Sequence, residues 1–262
     1  MMTSHAAFWR TLGQGPKAAL ALHCSLAHSG AWKGIAAVLG DKLTLNAVDL
    51  PGHGKSPDWD GQGDFTDFAI YIAAAGLAKP ADIVAHSFGA YLALRLAAEN
   101  PEKVQRLALY EPVFFASLQT ANPDLYQRNA LEMQQAQQRL DHKDPHAAAR
   151  AFLRVWGDGT PWELLPQEAK DSFARRIHLT CAIQPAVSGD NADLLSKLPN
   201  IHVPVLLMVG ENSPDYMHAV QQQLVRLLPN AKLVTIPEAA HMGPISHPDA
   251  VAREISEHFQ LG

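Results

Sequence analysis

The sequence predicts an α/β protein: a mostly parallel central sheet with helices on both faces and an inserted helical cap. Three observations carry this. Short apolar runs at 17–23, 43–50, 82–85, 104–110, 203–209 and 232–237 alternate with stretches of helical spacing, the rhythm of strands joined by crossover helices. The run Asp82-Ile83-Val84-Ala85 climbs to Ser87 and passes at once into a helix pattern of Ala90, Leu92, Ala93, Leu94, Leu96 and Ala97. The rhythm then breaks, and from about Val113 to Asn200 the spacing is helical with no strand evident.

The bulk numbers suit this architecture. With 262 residues, 47% of them hydrophobic, the chain can bury one sizeable core and carry an inserted subdomain. The expected division is a core of 1–112 and 201–262, with 113–200 as the cap. The net charge of −5 comes with no basic stripe, which argues against a nucleic-acid partner. The longest apolar run, Phe68 to Ala78, is too short to span a bilayer and reads as a buried helix, so no membrane partner is expected. Met1-Met2-Thr3-Ser4-His5 has no basic region leading into an apolar core, so no secretory signal is expected. The two cysteines, Cys24 and Cys181, are far apart and make no disulfide framework. Together these point to the cytoplasm.

In chain order, residues 1–16 are weakly patterned. Lys17 to His23 reads as the first buried strand, its alanines leaving a helix as the alternative, and His23 to Gly30 as a small polar loop. Ala31 to Leu39 resumes helical spacing. Leu43 to Leu50 is the next strand and runs into Asp49-Leu50-Pro51-Gly52-His53-Gly54-Lys55-Ser56. The end of that string suggests a phosphate-binding loop. Such a loop needs a glycine five positions before Gly54, where Asp49 stands, so the nucleotide reading fails. Thr66 to Ala78 is helical, and the helix after Ser87 stops at Asn100-Pro101. Val104 to Tyr110 is a strand ending at Glu111-Pro112. Within the insertion, helices are expected over Asp124–Leu140, Pro145–Trp156 and Pro166–Ile183. An insertion leaving from a strand's carboxyl end is placed over the edge where ligands bind in open α/β sheets. Val203–Val209, the helix Tyr216–Leu228, Lys232–Pro237 and the helix Pro248–Phe259 complete the chain.

Small residues flank Ser87 two positions to either side, Ala85 and Gly89. A serine on a sharp strand-to-helix turn needs this, because only small neighbours can pass close to it. The turn also presents the N–H of Phe88 and the positive end of the new helix. The segment resembles the nucleophile elbow of the α/β-hydrolase family, Gly-x-Ser-x-Gly, with Ala85 in place of the first glycine. Asp49 to Ser56 resembles the Asp-x-x-Gly-x-Gly-x-Ser turn of the same family. His241-Met242-Gly243-Pro244, after the last strand, resembles the loop that carries its base. With the small polar loop His23 to Gly30, which resembles the family's oxyanion loop, these four features in the right order cover nearly the whole chain except the cap.

The resemblance implies a serine nucleophile, an acid and a histidine in that chain order. Ser87 is the nucleophile and His241 the base; among thirteen histidines His241 is singled out by its late position in a loop of small residues. The acid has two candidates. The family usually carries it on the loop after the strand ending at Gly210, but Ser213 holds that position and Asp215 lies two residues later. Glu111, at the carboxyl end of the strand after the elbow helix, is preferred, since the following Pro112 holds it rigid. Asp215 can instead cap its helix. The oxyanion that forms during acyl transfer needs two backbone donors: Phe88 N–H is one, and the loop near Ser25 or Leu26 supplies the other, with Ser25 preferred. His23 is expected to brace that loop and His86 to be structural. Cys24 reads as a buried filler. Trp32, Phe114 and Trp156 are candidates for an apolar substrate-binding wall.

The expected activity is hydrolysis of a small carbonyl substrate (an ester, lactone, thioester or activated C–C bond) through an acyl-enzyme, with no cofactor and no metal required. The partner is a small-molecule substrate, and the oligomeric state is open, a homodimer among the options. The alternative is a weakly active or inactive small-ligand binding protein of the same fold, which the displaced acid keeps open.

Overall fold

The computed structural model describes residues 7–262; the reading of Met1 to His5 lies outside them. Seven strands form one sheet in the order β1-β3-β2-β4-β5-β6-β7. They are β1 Trp9–Leu12, β2 Lys17–Leu22, β3 Leu43–Val48, β4 Ala81–His86, β5 Val104–Tyr110, β6 Val205–Gly210 and β7 Ala231–Ile236. All neighbours are parallel except the edge pair, where β1 runs antiparallel to β3 with Trp9 opposite Val48. The strand β1 is not expected from the sequence. It is a four-residue edge strand with no fully buried position, so it carries none of the apolar alternation that marks a strand.

The order of elements explains how the sheet is covered. The helices are α1 Lys33–Leu39, α2 Phe65–Ala74, α3 Phe88–Glu99, α4 Pro123–Asp141, α5 Pro145–Trp156, α6 Gln167–Arg176, α7 His178–Ala182, α8 Gln184–Val187, α9 Leu194–Lys197, α10 Asp215–Leu227, α11 Gly243–Ser246 and α12 Pro248–His258. One face is sealed by α1 and α12, through Ile35, Leu39, Val251 and Ile255, with Phe259 just past α12, packed on Ala21, Leu45, Val84 and Met208. The other is sealed by α2, α3 and α10, through Phe65, Leu92, Leu96, Met217 and Leu224 on Leu20, Ile83, Leu107 and Leu207. Central strands wet on neither face read as continuous apolar runs, which is why β4 and β6 are legible in sequence.

Between β5 and β6 the chain is helical, as expected. The stretch read as one helix over 166–183 is two, α6 and α7, which meet at Ile177; that residue is fully buried with Leu26, Ala148 and Ala149. These contacts lay α5 and α6 on the loop after β2. Arg176 Nε donates to Gly52 O at 3.1 Å, and Leu179 fills the space over Gly52. The helical segment therefore lies across the carboxyl ends of β2 and β3. Among the described residues no helix is long and apolar enough to cross a membrane.

Candidate active site

The elbow forms where β4 meets α3. Ser87 has φ 56 and ψ −117, a conformation L-residues avoid and which persists only where the surroundings hold it. Here Ser87 N–H donates to Tyr110 O at 2.8 Å and Ser87 O accepts from Tyr91 N–H at 3.0 Å. The helix start is pressed onto β2: a Cβ at Gly89 would lie 2.3 Å from Leu22 O. Glycine is required there by close approach.

The structure brings Ser87, His241 and Glu111 together. Ser87 Oγ is 3.0 Å from His241 Nε2, and His241 Nδ1 is 2.6 Å from Glu111 Oε2. A carboxylate facing Nδ1 assigns the ring proton to that nitrogen and leaves Nε2 as an acceptor for the serine hydroxyl. All three side chains are buried. Glu111 has φ 48, and its Oε1 accepts from Gly210 N–H at 2.8 Å and Ser213 Oγ–H at 2.5 Å. The other candidate acid, Asp215, points to the surface, where it pairs with Arg128 and accepts from Tyr216 N–H.

Two main-chain contacts hold the loop that carries His241. His86 Nε2–H donates to His241 O at 2.7 Å, and Tyr110 Oη–H donates to Ala240 O at 2.7 Å. Gly243 packs directly beneath Tyr110; a Cβ there would lie 2.1 Å from the phenol oxygen. Burial first, and then the nearby His241, push the His86 pKa well below its ordinary value, so the ring stays neutral. Burial first, and then Glu111, push the Tyr110 phenol up.

The loop after β2 is built on two more neutral histidines. His23 Nδ1–H donates to Cys24 O and Nε2 accepts from Leu50 N–H at 2.9 Å. His53 Nδ1–H donates to Pro51 O and Nε2 accepts from Leu26 N–H at 3.0 Å. Burial lowers His23 to about 4; burial and then His23 lower His53 to about 3. Leu26 N–H is thereby taken by His53. Leu26 itself has φ 65. The Asp49 turn braces the same loop: Asp49 accepts from Ser29 N–H at 2.6 Å and Lys55 N–H at 2.8 Å, and Ser56 Oγ–H returns to Asp49 O. At Gly54, φ is +56 and a Cβ would lie 2.0 Å from Asp49 Oδ2, so both conformation and space require glycine. The Cys24 thiol, buried, is pushed up to about 12 and is inert as a nucleophile at neutral pH.

A cavity of about 500 Å³ lies between the loop after β2 and the helical segment, next to the His241 loop at Met242 rather than on Ser87 or His241 themselves. Its wall includes Ser25, Leu26, Phe152, Trp156, Phe173 and Met242. The Trp156 ring meets His241 edge-on at 4.7 Å and continues into Phe115 and Tyr216. Two of the aromatic residues expected on this wall belong elsewhere. Trp32 is packed into the layer formed by α1 and α12, and Phe114 is fully buried against Tyr91. Both are aromatic residues close in sequence to the site that tertiary packing turns into the core. Sequence reasoning missed Ser213 as a partner of the acid; its signal was its place on the turn between β6 and α10. Among the described residues no cluster of three or more histidine, cysteine or acidic side chains is arranged to hold a metal.

The chain is 28% identical to a pimeloyl-[acyl-carrier protein] methyl ester esterase of Chromobacterium violaceum, covering 97% of this chain and 98% of that one. It is 33% identical to the protein of that name from Neisseria meningitidis serogroup C, over 79% and 80% of the two chains. Among solved structures, an alpha/beta hydrolase from Sphaerobacter thermophilus superposes with TM-score 0.71 at 26% identity, covering 97% and 96%. An enol-lactonase from Burkholderia xenovorans shares the fold with TM-score 0.74 at 19% identity, covering 98% and 99%. The sequence model of the alpha/beta hydrolase family matches residues 19–254, which takes in the elbow, the Asp49 turn and the His241 loop alike: the chain belongs to the alpha/beta hydrolase family.

Proposed function

We propose that this protein is a serine hydrolase that cleaves small carboxylic esters through an acyl-enzyme. The observation that carries the reading is the unbroken hydrogen-bonded line Ser87 Oγ, His241 Nε2, His241 Nδ1, Glu111 Oε2, at 3.0 and 2.6 Å. The relatives named as methyl ester esterases support ester as the bond.

Ser87 Oγ attacks the ester carbonyl as its proton passes to His241 Nε2. Glu111 orients the imidazole and stabilises its cation. The oxyanion is held by the N–H groups of Phe88 and Ser25. The tetrahedral adduct collapses, the C–O bond to the alcohol breaks, and His241 gives its proton to the leaving oxygen. Water then attacks the acyl carbon and passes its proton to His241; Ser87 recovers that proton as the acid product leaves. In this reading the segment 113–200 is the cap, and Trp156 and the apolar cavity wall receive the substrate's carbon chain. The contact of Glu111 with His241 weighs against the small-ligand binder, since the displaced acid was the feature that favoured it.

The test is a panel of p-nitrophenyl and methyl esters of increasing chain length, assayed with the wild type and Ser87→Ala. Turnover by the wild type that falls at least about 1,000-fold in the variant is expected, from the loss when a triad member is removed. Equal rates for the two would overturn the reading.

A further inference from the structure

We infer that Ser213 is a positioning residue for the site's acid, acting through Glu111 rather than on substrate. This rests on the triad reading above. Glu111 is fully buried, and one of its oxygens is committed to His241. A carboxylate removed from water needs donors for its other lone pairs. It finds two, both on Oε1: Gly210 N–H at 2.8 Å and Ser213 Oγ–H at 2.5 Å. The hydroxyl is the only one of these two that a side-chain change can remove.

The turn that delivers the hydroxyl is itself fixed. Ser213 N–H donates to Gly210 O at 3.1 Å, Asn212 N–H to Ala239 O at 2.8 Å and Glu211 N–H to Ile236 O at 3.0 Å. A Cβ at Gly210 would lie 2.6 Å from Ala239 O. The turn after β6 is thus joined to the segment that leads into His241. One hydroxyl therefore sets the acid against the same framework that carries the base.

Removing that hydroxyl has a signed consequence. Glu111 keeps a single donor on Oε1, and its anion is less well held against His241. The other titratable groups facing the pair are His86, Tyr110 and Tyr216. His86 is held neutral by burial and by His241. Tyr110 from β5 is raised by burial and by Glu111, and Tyr216 from α10 by burial and by Glu132. The acidic neighbours of Ser213 face away: Glu211 accepts from Glu238 N–H and Asp215 pairs with Arg128.

The experiment is the pH profile of kcat and KM for p-nitrophenyl acetate, from pH 5 to 9, read where phenol and phenolate absorb equally. Wild type, Ser213→Ala, Ser213→Cys and Ser213→Thr are compared. With Ser213→Ala, kcat falls about tenfold with KM little changed, and the acid limb of the profile moves up by about one pH unit, the scale of one charge-assisted hydrogen bond. Ser213→Thr, which keeps the hydroxyl, returns the limb to its wild-type place. Ser213→Cys keeps the volume with a weak donor and follows the alanine variant; it supplies the comparison if Ser213→Ala fails to fold. Alanine or cysteine profiles that superimpose on the wild type would overturn the role of Ser213. An enzyme as active without Ser87 as with it overturns the triad reading instead, so the two failures are distinct.

Discussion

His86 and His241 are joined through the main chain as well as through their rings. His86 Nε2–H donates to the carbonyl oxygen of His241 at 2.7 Å, while the two ring centroids lie 4.9 Å apart. The residue before the elbow serine thus holds the backbone of His241, which comes 154 positions after that serine. With Tyr110 gripping Ala240 O, the strand ends β4 and β5 fix a loop that has almost no regular structure of its own.

This gives a direct expectation for His86→Phe, which keeps a ring but removes the donor. The loop gains freedom at the reacting imidazole, and misplacement by about 1 Å is enough to cost roughly 100-fold in rate. We expect kcat to fall about 10- to 100-fold with KM within about threefold, and Ser87 to remain in place. Steady-state kinetics on a p-nitrophenyl ester, alongside a thermal melt showing the variant folded, checks it.

The two carboxylates that compete for the acid's role separate by environment. Glu111→Gln keeps the shape but replaces the oxygen facing His241 Nδ1 or reverses the tautomer, and we expect a loss in kcat of about 10,000-fold, by analogy with the same change in a serine protease triad. Asp215→Asn disturbs an exposed pair with Arg128, and exposed pairs contribute about 0–1 kcal/mol. Its kcat should stay within about twofold of wild type. The opposite order, measured in one assay, would exchange the roles.

The buried histidines predict acid sensitivity. His23 and His53 are depressed to about 4 and about 3, whereas in the unfolded chain they titrate near 6.5. Above pH 6.5 both states are neutral and this contribution to stability is complete. Below 6.5 the unfolded chain binds protons that the folded one refuses. Stability then falls by roughly 1.4 kcal/mol per pH unit for each histidine. The loss from His23 ends near pH 4 and that from His53 near pH 3. His86, lowered in the same direction, adds to it. Urea unfolding at pH 7.5, 6, 5 and 4 should show a progressive fall in midpoint; a flat profile would contradict the assigned hydrogen bonds.

What was legible in the sequence is what local chemistry dictates. Ser87 needs a strained φ and small neighbours at 85 and 89, so the elbow announces itself. Asp49 needs Gly54 because no side chain fits against its carboxylate, so the turn does too. The buried strands show as unbroken apolar runs. The edge strand β1 does not, because half-wet residues leave no pattern. The break at Ile177 follows from packing against Leu26 and Ala149, the first of them far away in sequence. The same holds for Trp32 and Phe114: an aromatic residue near a site in sequence can face either cavity or core, and only the assembled layers decide. Ser213 shows the opposite case, a polar residue whose partner lies 102 positions away.

The central claim is that the Ser87 hydroxyl is activated by His241. It is tested most directly by treating the folded protein with a fluorophosphonate and locating the adduct by peptide mass spectrometry. The account predicts a single adduct on Ser87, formed rapidly in the wild type and slowed at least about 100-fold in His241→Ala, from the loss of the general base. Labelling that is absent in the wild type, or equally fast without His241, would contradict it.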